Sequence, residues 1–177
     1  MTDNAFVIIS GLPASGKSTL SHGLGDHLGW PVIDKDAILE TLFDSLGTGD
    51  RTWRHQLSRA SDDILFTIAA RAQHAVLDNW WHHDTAPERL RRLNARLIEI
   101  FCDCDPALAA ERFQRRTRHP GHLDPQLTPE QVAERVATIR ATYPGPLRLG
   151  GPLLTIDTGR PLDITAVAKE VTALLHA

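Results

Sequence analysis

The chain has 177 residues, 42% hydrophobic and 23% charged, with a formal net charge of −3. That balance suits a soluble globular chain with a sizeable core and, lacking a basic surplus, argues against a general nucleic-acid binder. No apolar run approaches the roughly 18 residues of a membrane span and no charged leader precedes an apolar core, so the expected location is cytoplasmic, with no membrane partner.

Short apolar runs alternate with longer helical stretches. AFVIIS (5–10) is the near-continuous apolar run of a strand covered on both faces. Residues 16–28 follow as a helix, with Leu20, Leu24 and Leu28 on one side and Gly29 at its end. WPVID (30–34) reads as a second strand and 36–46 as a second helix, with Gly47 and Gly49 marking a break. Residues 51–73 form a long helix whose apolar stripe is Leu57, Ile64, Leu65, Ile68 and Ala72. AVLDN (75–79) is a third strand, and 86–95 a helix started by Pro87. A fourth strand over 96–104 puts Cys102 and Cys104 on one face, where they pack beside the core rather than form a disulfide framework or metal site. Asp105 and Pro106 begin a helix to about 116, and 117–127 is loop-like. Thr128, Pro129 and Gln131 make a capping box for a helix over 129–142. Residues 153–158 give a fifth strand, and Asp163 caps a closing helix over 163–176. With no internal repeat or linker, this alternation implies one α/β domain over 1–177, a parallel sheet wrapped by helices.

GLPASGKS (11–18) fits G-x-x-x-x-G-K-[ST] between a buried strand and a helix, the context that pattern requires. Gly11 and Gly16 permit a tight turn, so that backbone N–H groups from Ala14 through Thr19, Ser15 included, point at a phosphate. Lys17 reaches the β- and γ-phosphates, and the Ser18 hydroxyl ligates Mg²⁺. The expected cofactors are therefore ATP and Mg²⁺. A GTPase would need Asn-Lys-x-Asp, which does not occur, and DSLG (44–47) lies within a helical stretch. Motor ATPases need far more chain and an apolar strand ending in Asp-Glu, so a small kinase is favoured. Asp34 and Asp36 follow the loop lysine by 34 − 17 = 17 and 36 − 17 = 19 positions and project to the same side of an extended segment. One carboxylate can hold Mg²⁺ through water while Asp36 orients or deprotonates an acceptor hydroxyl. Two alternatives stay open: a role for Asp36 only as the cap of the helix from 37, and Asp78 rather than Asp34 as the residue near the metal.

With its phosphate loop and Asp-x-Asp, the chain resembles the P-loop small-molecule kinases, among them shikimate kinase, gluconate kinase and chloramphenicol phosphotransferase. Firm motif identity spans only the first 36 residues or so. The resemblance implies a P-loop kinase fold: a five-stranded parallel sheet ordered 2-3-1-4-5, helices on both faces, and a small lid at approximately 115–128. It also places Asp36 at the acceptor hydroxyl. Shikimate kinases carry a run of glycines after the third strand, where this chain has DNWWHH (78–83), so shikimate itself is not the expected acceptor.

Asn79, Trp80 and Trp81 enter the crevice edge and suggest a flat apolar acceptor surface, with core packing as the competing role. His82, His83 and Asp84 read as polar rim. Trp53 and Arg54, with His55, open the helix that caps the acceptor pocket in the family, and Arg51 or Arg54 would suit an anionic group. Only Lys17, Lys35 and Lys169 among the 19 basic residues are lysines, and the arginines cluster in ERFQRRTRHPGH (111–122). In this fold that place is the lid: Arg112 or Arg116 is expected at adenine, and Arg115 or Arg118 at the transferring phosphoryl. A solvated basic face is the alternative. Gly159, Arg160 and Pro161 match the turn at the adenine edge.

The expected activity is ATP-dependent phosphoryl transfer to a hydroxyl of a small molecule, with an antibiotic favoured and a metabolic sugar or nucleoside the close rival. A nucleic-acid end kinase, a zeta-like toxin kinase and a non-catalytic nucleotide-gated module are the alternatives. No stable nucleic-acid partner is expected, and the chain is read as a monomer or homodimer.

Overall fold

The computed structural model describes residues 4–122 and 128–176. Strand β1 (Ala5–Gly11) is followed by α1 (Lys17–Leu28), β2 (Val32–Asp34), α2 (Lys35–Leu46), α3 (Arg51–Ala69) and β3 (His74–Asp78). Then come α4 (Ala86–Arg91), β4 (Arg96–Asp103), α5 (Pro106–Arg115), a 3₁₀ turn (Pro120–His122), α6 (Pro129–Thr142), β5 (Leu153–Asp157) and α7 (Ile164–His176). The sheet is five-stranded and parallel, ordered β2-β3-β1-β4-β5.

Strand β1 is buried along its whole length, and the two-residue period of the pleat divides its side chains between two cores. Phe6 and Ile8 join Leu65, Ala69, Leu77, Trp81 and Leu90 on one face. Val7 and Ile9 join Leu20, Leu24, Ile98, Ile100, Val167 and Val171 on the other. Helices α3 and α4 therefore cover one side of the sheet, and α1 and α7 the other. Cys102 and Cys104 are buried free thiols beside this core. No helix among the described residues is long and apolar enough to cross a membrane.

Where element ends differ from the sequence reading, local chemistry explains the difference. The face of α3 turned to the core is Leu57, Ser61, Leu65 and Ala69, spaced four apart, and the helix ends at Ala69 rather than 73. Ile64 and Ile68, expected in the apolar stripe, are 36% and 46% exposed. Helix α4 stops at Arg91 rather than 95, and Asn94 has φ 49° in the turn that follows. Asp34, not Asp36, caps α2: its Oδ1 accepts from the backbone N–H of Asp36 at 2.8 Å and of Ala37 at 3.3 Å. The helix thus starts at Lys35, and the Asp36 side chain is left for other work. Thr128 and Gln131 form the expected reciprocal capping box on α6.

Candidate active site

The C-terminal ends of β1, β2 and β3 converge. Register pairs Ile9 with Asp78 and Asp34 with Asp78, so the phosphate loop and both acidic strand ends lie side by side. Beyond them opens a cavity of about 1030 Å³, the crevice expected where strand order reverses in a doubly wound sheet.

The loop from Gly11 to Ser18 is shaped by steric necessity. A Cβ at Gly11, whose φ is 142°, would stand 2.8 Å from both the Cys102 carbonyl oxygen and Ser15 Oγ. Ala14 and Gly16 take positive φ of 61° and 93°. Positive φ at these positions curls the backbone in the manner of amide nests that suit anions. Lys17 Nζ donates to the carbonyls of Gly11 at 3.1 Å and Leu12 at 2.8 Å, so its ammonium lies across the loop. Among the described residues, Ser15 Oγ is buried with no partner, as fits a loop built to hold a further group.

Asp78 ends β3 and is 3% exposed. Its Oδ2 accepts from Ser21 Oγ at 3.2 Å, and the Ser18 hydroxyl also bonds its carboxyl. Burial pushes its pKa above the carboxylate range, with Asp34 adding to the rise and Lys17 opposing it. A carboxyl with a raised folded pKa binds more protons folded than unfolded, so it removes stability as pH rises from its unfolded to its folded value. Asp78→Asn is therefore expected to melt higher than the wild type at neutral pH while losing activity. The gap in Tm should widen as pH climbs from the ordinary carboxylate range. Thermal melts across pH check this, and a gap that narrows as pH rises would refute it. Ser18, Asp78 and Asp34 together offer hard oxygen donors, the type that suits Mg²⁺. Among the described residues no group of three acidic, His or Cys side chains forms a complete cage, and a partly hydrated Mg²⁺ held by one or two carboxylates and phosphate needs none.

Asp36 faces the cavity from the first turn of α2. Arg118 Nη2 donates to its Oδ2, and Lys35 Nζ lies 3.9 Å from its Oδ1. Burial alone would raise the Asp36 pKa, but Arg118, with Lys35 and His122, outweighs it and holds the carboxyl below its ordinary range.

Helix α3 supplies the opposite wall. Arg54, Ser58 and Asp62 are spaced four apart, so they share one face, and all three line the cavity. Asp62 Oδ1 accepts from Asn79 Nδ2 at 2.8 Å, and Ser58 Oγ accepts from Lys35 Nζ at 2.9 Å.

The two tryptophans part company. Trp80 lines the cavity and packs against Tyr143 at 5.6 Å between ring centroids. Trp81 is 4% exposed in the core and donates its indole N–H to the Ile9 carbonyl at 2.7 Å. Trp53 is also away from the cavity: it packs beside Phe43 and donates to the Gly47 carbonyl at 2.9 Å.

The arginine-rich segment divides likewise. Arg112 lines the cavity and donates to the Thr158 carbonyl at 2.9 Å, tying α5 to the turn after β5. Arg116 lies over the Phe113 ring at 4.3 Å and lines the cavity. Arg160 also lines the cavity and pairs with Asp157 at 3.1 Å. Arg115 points away, paired with Glu111 at 2.8 Å. Of the expected lid, residues 123–127 lie outside the described residues.

Residues 118–122 are not a free loop; they dock on α2. The Phe43 ring stacks on His119 at 5.3 Å and meets His122 edge-on at 5.7 Å. Glu40 pairs with His122 at 2.8 Å, Asp44 with His119 at 3.1 Å, and Arg54 Nε donates to the His122 carbonyl at 3.2 Å. A Cβ on Gly121 would stand 2.4 Å from Phe43 Cδ2. Gly121→Ala is therefore expected to lower stability by about 1–3 kcal/mol, the usual cost of overpacking. It should also loosen Arg118 from Asp36; thermal unfolding together with activity measures both, and a variant unchanged in either would refute the docking.

Sequence reasoning passed over Lys35, Ser58, Asp62, His122 and Tyr143. The four-residue spacing on α3 was a signal for Ser58 and Asp62. Lys35 stood in plain view between the two aspartates, whereas docking by His122 and Tyr143 has no local signal.

Residues 6–143 match the family model described as AAA domain. A curated shikimate kinase of Haemophilus influenzae is 27% identical over 146 residues, covering 79% of this chain and 78% of the relative. A Chloroflexus aurantiacus protein of known structure, described provisionally as a kinase, superposes with a TM-score of 0.81. It is 31% identical over 99% of this chain and 98% of its own. The shikimate kinase of Bacteroides thetaiotaomicron shares the fold, with a TM-score of 0.61 at 14% identity over 98% and 99% of the two chains.

Proposed function

Since the chain belongs to the AAA-domain family and is a P-loop small-molecule kinase, we propose that it moves the γ-phosphoryl of ATP onto a hydroxyl of a small polar molecule positioned by Asp36. The observation that carries this reading is the placement of the Asp36 carboxylate in the same cavity as Lys17 and the phosphate loop, with the Arg118 guanidinium bonded to it. In this reading the loop amides and Lys17 bind the nucleotide phosphates, and Arg112, Arg116 and Arg160 border the base. Ser18, Asp78 and Asp34 would hold Mg²⁺, whose contribution is to bridge phosphate oxygens and offset their charge. Arg118 and Asp36 orient the acceptor.

The acceptor wall bears Asp36, Lys35, Arg54, Ser58, Asp62 and Asn79, with Trp80 as its aromatic surface. That composition favours a polyhydroxylated or acidic acceptor, such as a sugar, a sugar acid or the acceptor of the shikimate kinase relatives. An antibiotic acceptor is supported by the Trp80 face, against which a ring could lie.

The test is transfer from γ-labelled ATP across panels of hydroxy acids, sugars, nucleosides and antibiotics. Transfer to a hydroxy acid or sugar is expected. Nucleotide binding without transfer to any acceptor would favour the non-catalytic module, and toxicity on overexpression would favour the toxin-like kinase.

A further inference from the structure

Lys35 is buried at the N-terminal turn of α2, yet it borders the cavity. An ammonium carries three N–H donors, and this one makes a single hydrogen bond among the described residues, to Ser58 Oγ. Keeping a buried cation so sparsely bonded is unfavourable, because desolvation is offset only when the charge is paired and its donors are used. The nearest carboxylate oxygen, Asp36 Oδ1, is 3.9 Å away, too far for a direct hydrogen bond. The other oxygen of that carboxylate is taken by Arg118.

The 3.9 Å gap has a chemical meaning. One oxygen atom can sit about 2.8 Å from both Nζ and Oδ1, donating its proton to the carboxylate while accepting from the ammonium. That is the position of the acceptor hydroxyl once Asp36 orients it. We infer that Lys35 is a catalytic residue: it donates a hydrogen bond to the attacking oxygen of the acceptor while Asp36 Oδ1 receives that oxygen's proton.

The inference rests on the kinase reading above. In the step, the bond from the acceptor oxygen to the γ-phosphorus forms as the bond from that phosphorus to the β,γ-bridging oxygen breaks. The electron pair of the broken bond leaves with ADP, and the hydroxyl proton passes to Asp36. With Arg118 bonded to Oδ2, the Asp36 carboxylate already shares its charge with a guanidinium, and negative charge gathers on the attacking oxygen as the new bond forms. Lys35 stabilises that charge where it develops. Ser58 acts through Lys35, as a positioning residue.

The experiment compares Lys35→Met, Lys35→Arg and Ser58→Ala, using the best acceptor of the panel and, separately, water in ATP hydrolysis without acceptor. Lys35→Met is expected to lower kcat by about 10²-fold, the effect of removing one donor to a developing oxyanion. Its acceptor KM and its affinity for a non-hydrolysable ATP analogue should stay within about threefold. Lys35→Arg should recover part of the loss, and Ser58→Ala should cost up to about tenfold in kcat. The hydrolysis rate should fall in parallel. A change confined to KM, or hydrolysis and transfer at wild-type rates in Lys35→Met, overturns the inference. If Lys35→Met fails to fold, a Ser58→Ala variant with unchanged kcat overturns it instead. If the wild type transfers to no acceptor, the kinase reading itself fails, and the water arm alone decides the role of Lys35.

Discussion

Lys17→Met is expected to reduce phosphoryl transfer by about a thousandfold or more, the scale at which a charge-bearing donor to a transferring phosphoryl acts. The Lys17 ammonium lies across the phosphate loop on the Gly11 and Leu12 carbonyls, contacts that hold it over the concave face. Methionine keeps the length and removes the charge. Burial already pushes the Lys17 pKa down, with Asp78 opposing, so losing the ammonium removes a group that folding strains to keep charged. The variant should therefore melt within a few degrees of the wild type, and the loss belongs to function rather than to folding. Steady-state transfer with thermal melts provides the check; a variant retaining a tenth of wild-type transfer would remove Lys17 from the mechanism.

The second large effect is Asp36→Asn, expected to lower kcat by about 10²–10⁴ with nucleotide affinity nearly unchanged. Asparagine retains the shape but cannot take the acceptor proton, and it deprives Arg118 of its partner. The pH dependence carries a sign. Because Arg118 and Lys35 outweigh burial and hold Asp36 below the ordinary carboxylate range, the acid limb of the wild-type profile should fall at unusually low pH. Arg118→Leu removes the leading stabilising charge, so the limb should move to higher pH. A limb that stays in place would mean that another group sets it.

Much of the fold was legible because its signals are local. The all-apolar β1, the capping box at Thr128 and the alternation of strand and helix each follow from neighbours in sequence, and the strand order followed from the family resemblance. The donor half of the site was legible for the same reason, since the phosphate loop is eight contiguous residues between a strand and a helix. The acceptor half was less so. Trp80 and Trp81 are adjacent on chain beyond the end of β3, and only tertiary packing, with Trp81 among Ala86 and Leu90 in the core, decides that one faces the cavity and the other donates to Ile9. Arg115 and Arg118 differ because α5 ends between them: Arg115 stays on the helix surface with Glu111, while Arg118 lies beyond the helix end, bonded to Asp36 of α2. Long-range docking of that kind depends on Phe43, Glu40 and Asp44, more than 70 positions away, and no local pattern encodes it.

Arg116 and Arg118 stand two residues apart on one short stretch of chain, so what fixes one constrains the other. Arg116 leaves α5 in extended conformation and lines the cavity, and two residues later Arg118 bonds Asp36. Docking of 118–122 on α2 already orders this stretch, so the conformational entropy of placing the Arg118 guanidinium is lost in folding rather than in binding. On the kinase reading, nucleotide and acceptor would therefore meet a preorganised cation, which raises affinity by cutting the ordering cost of binding.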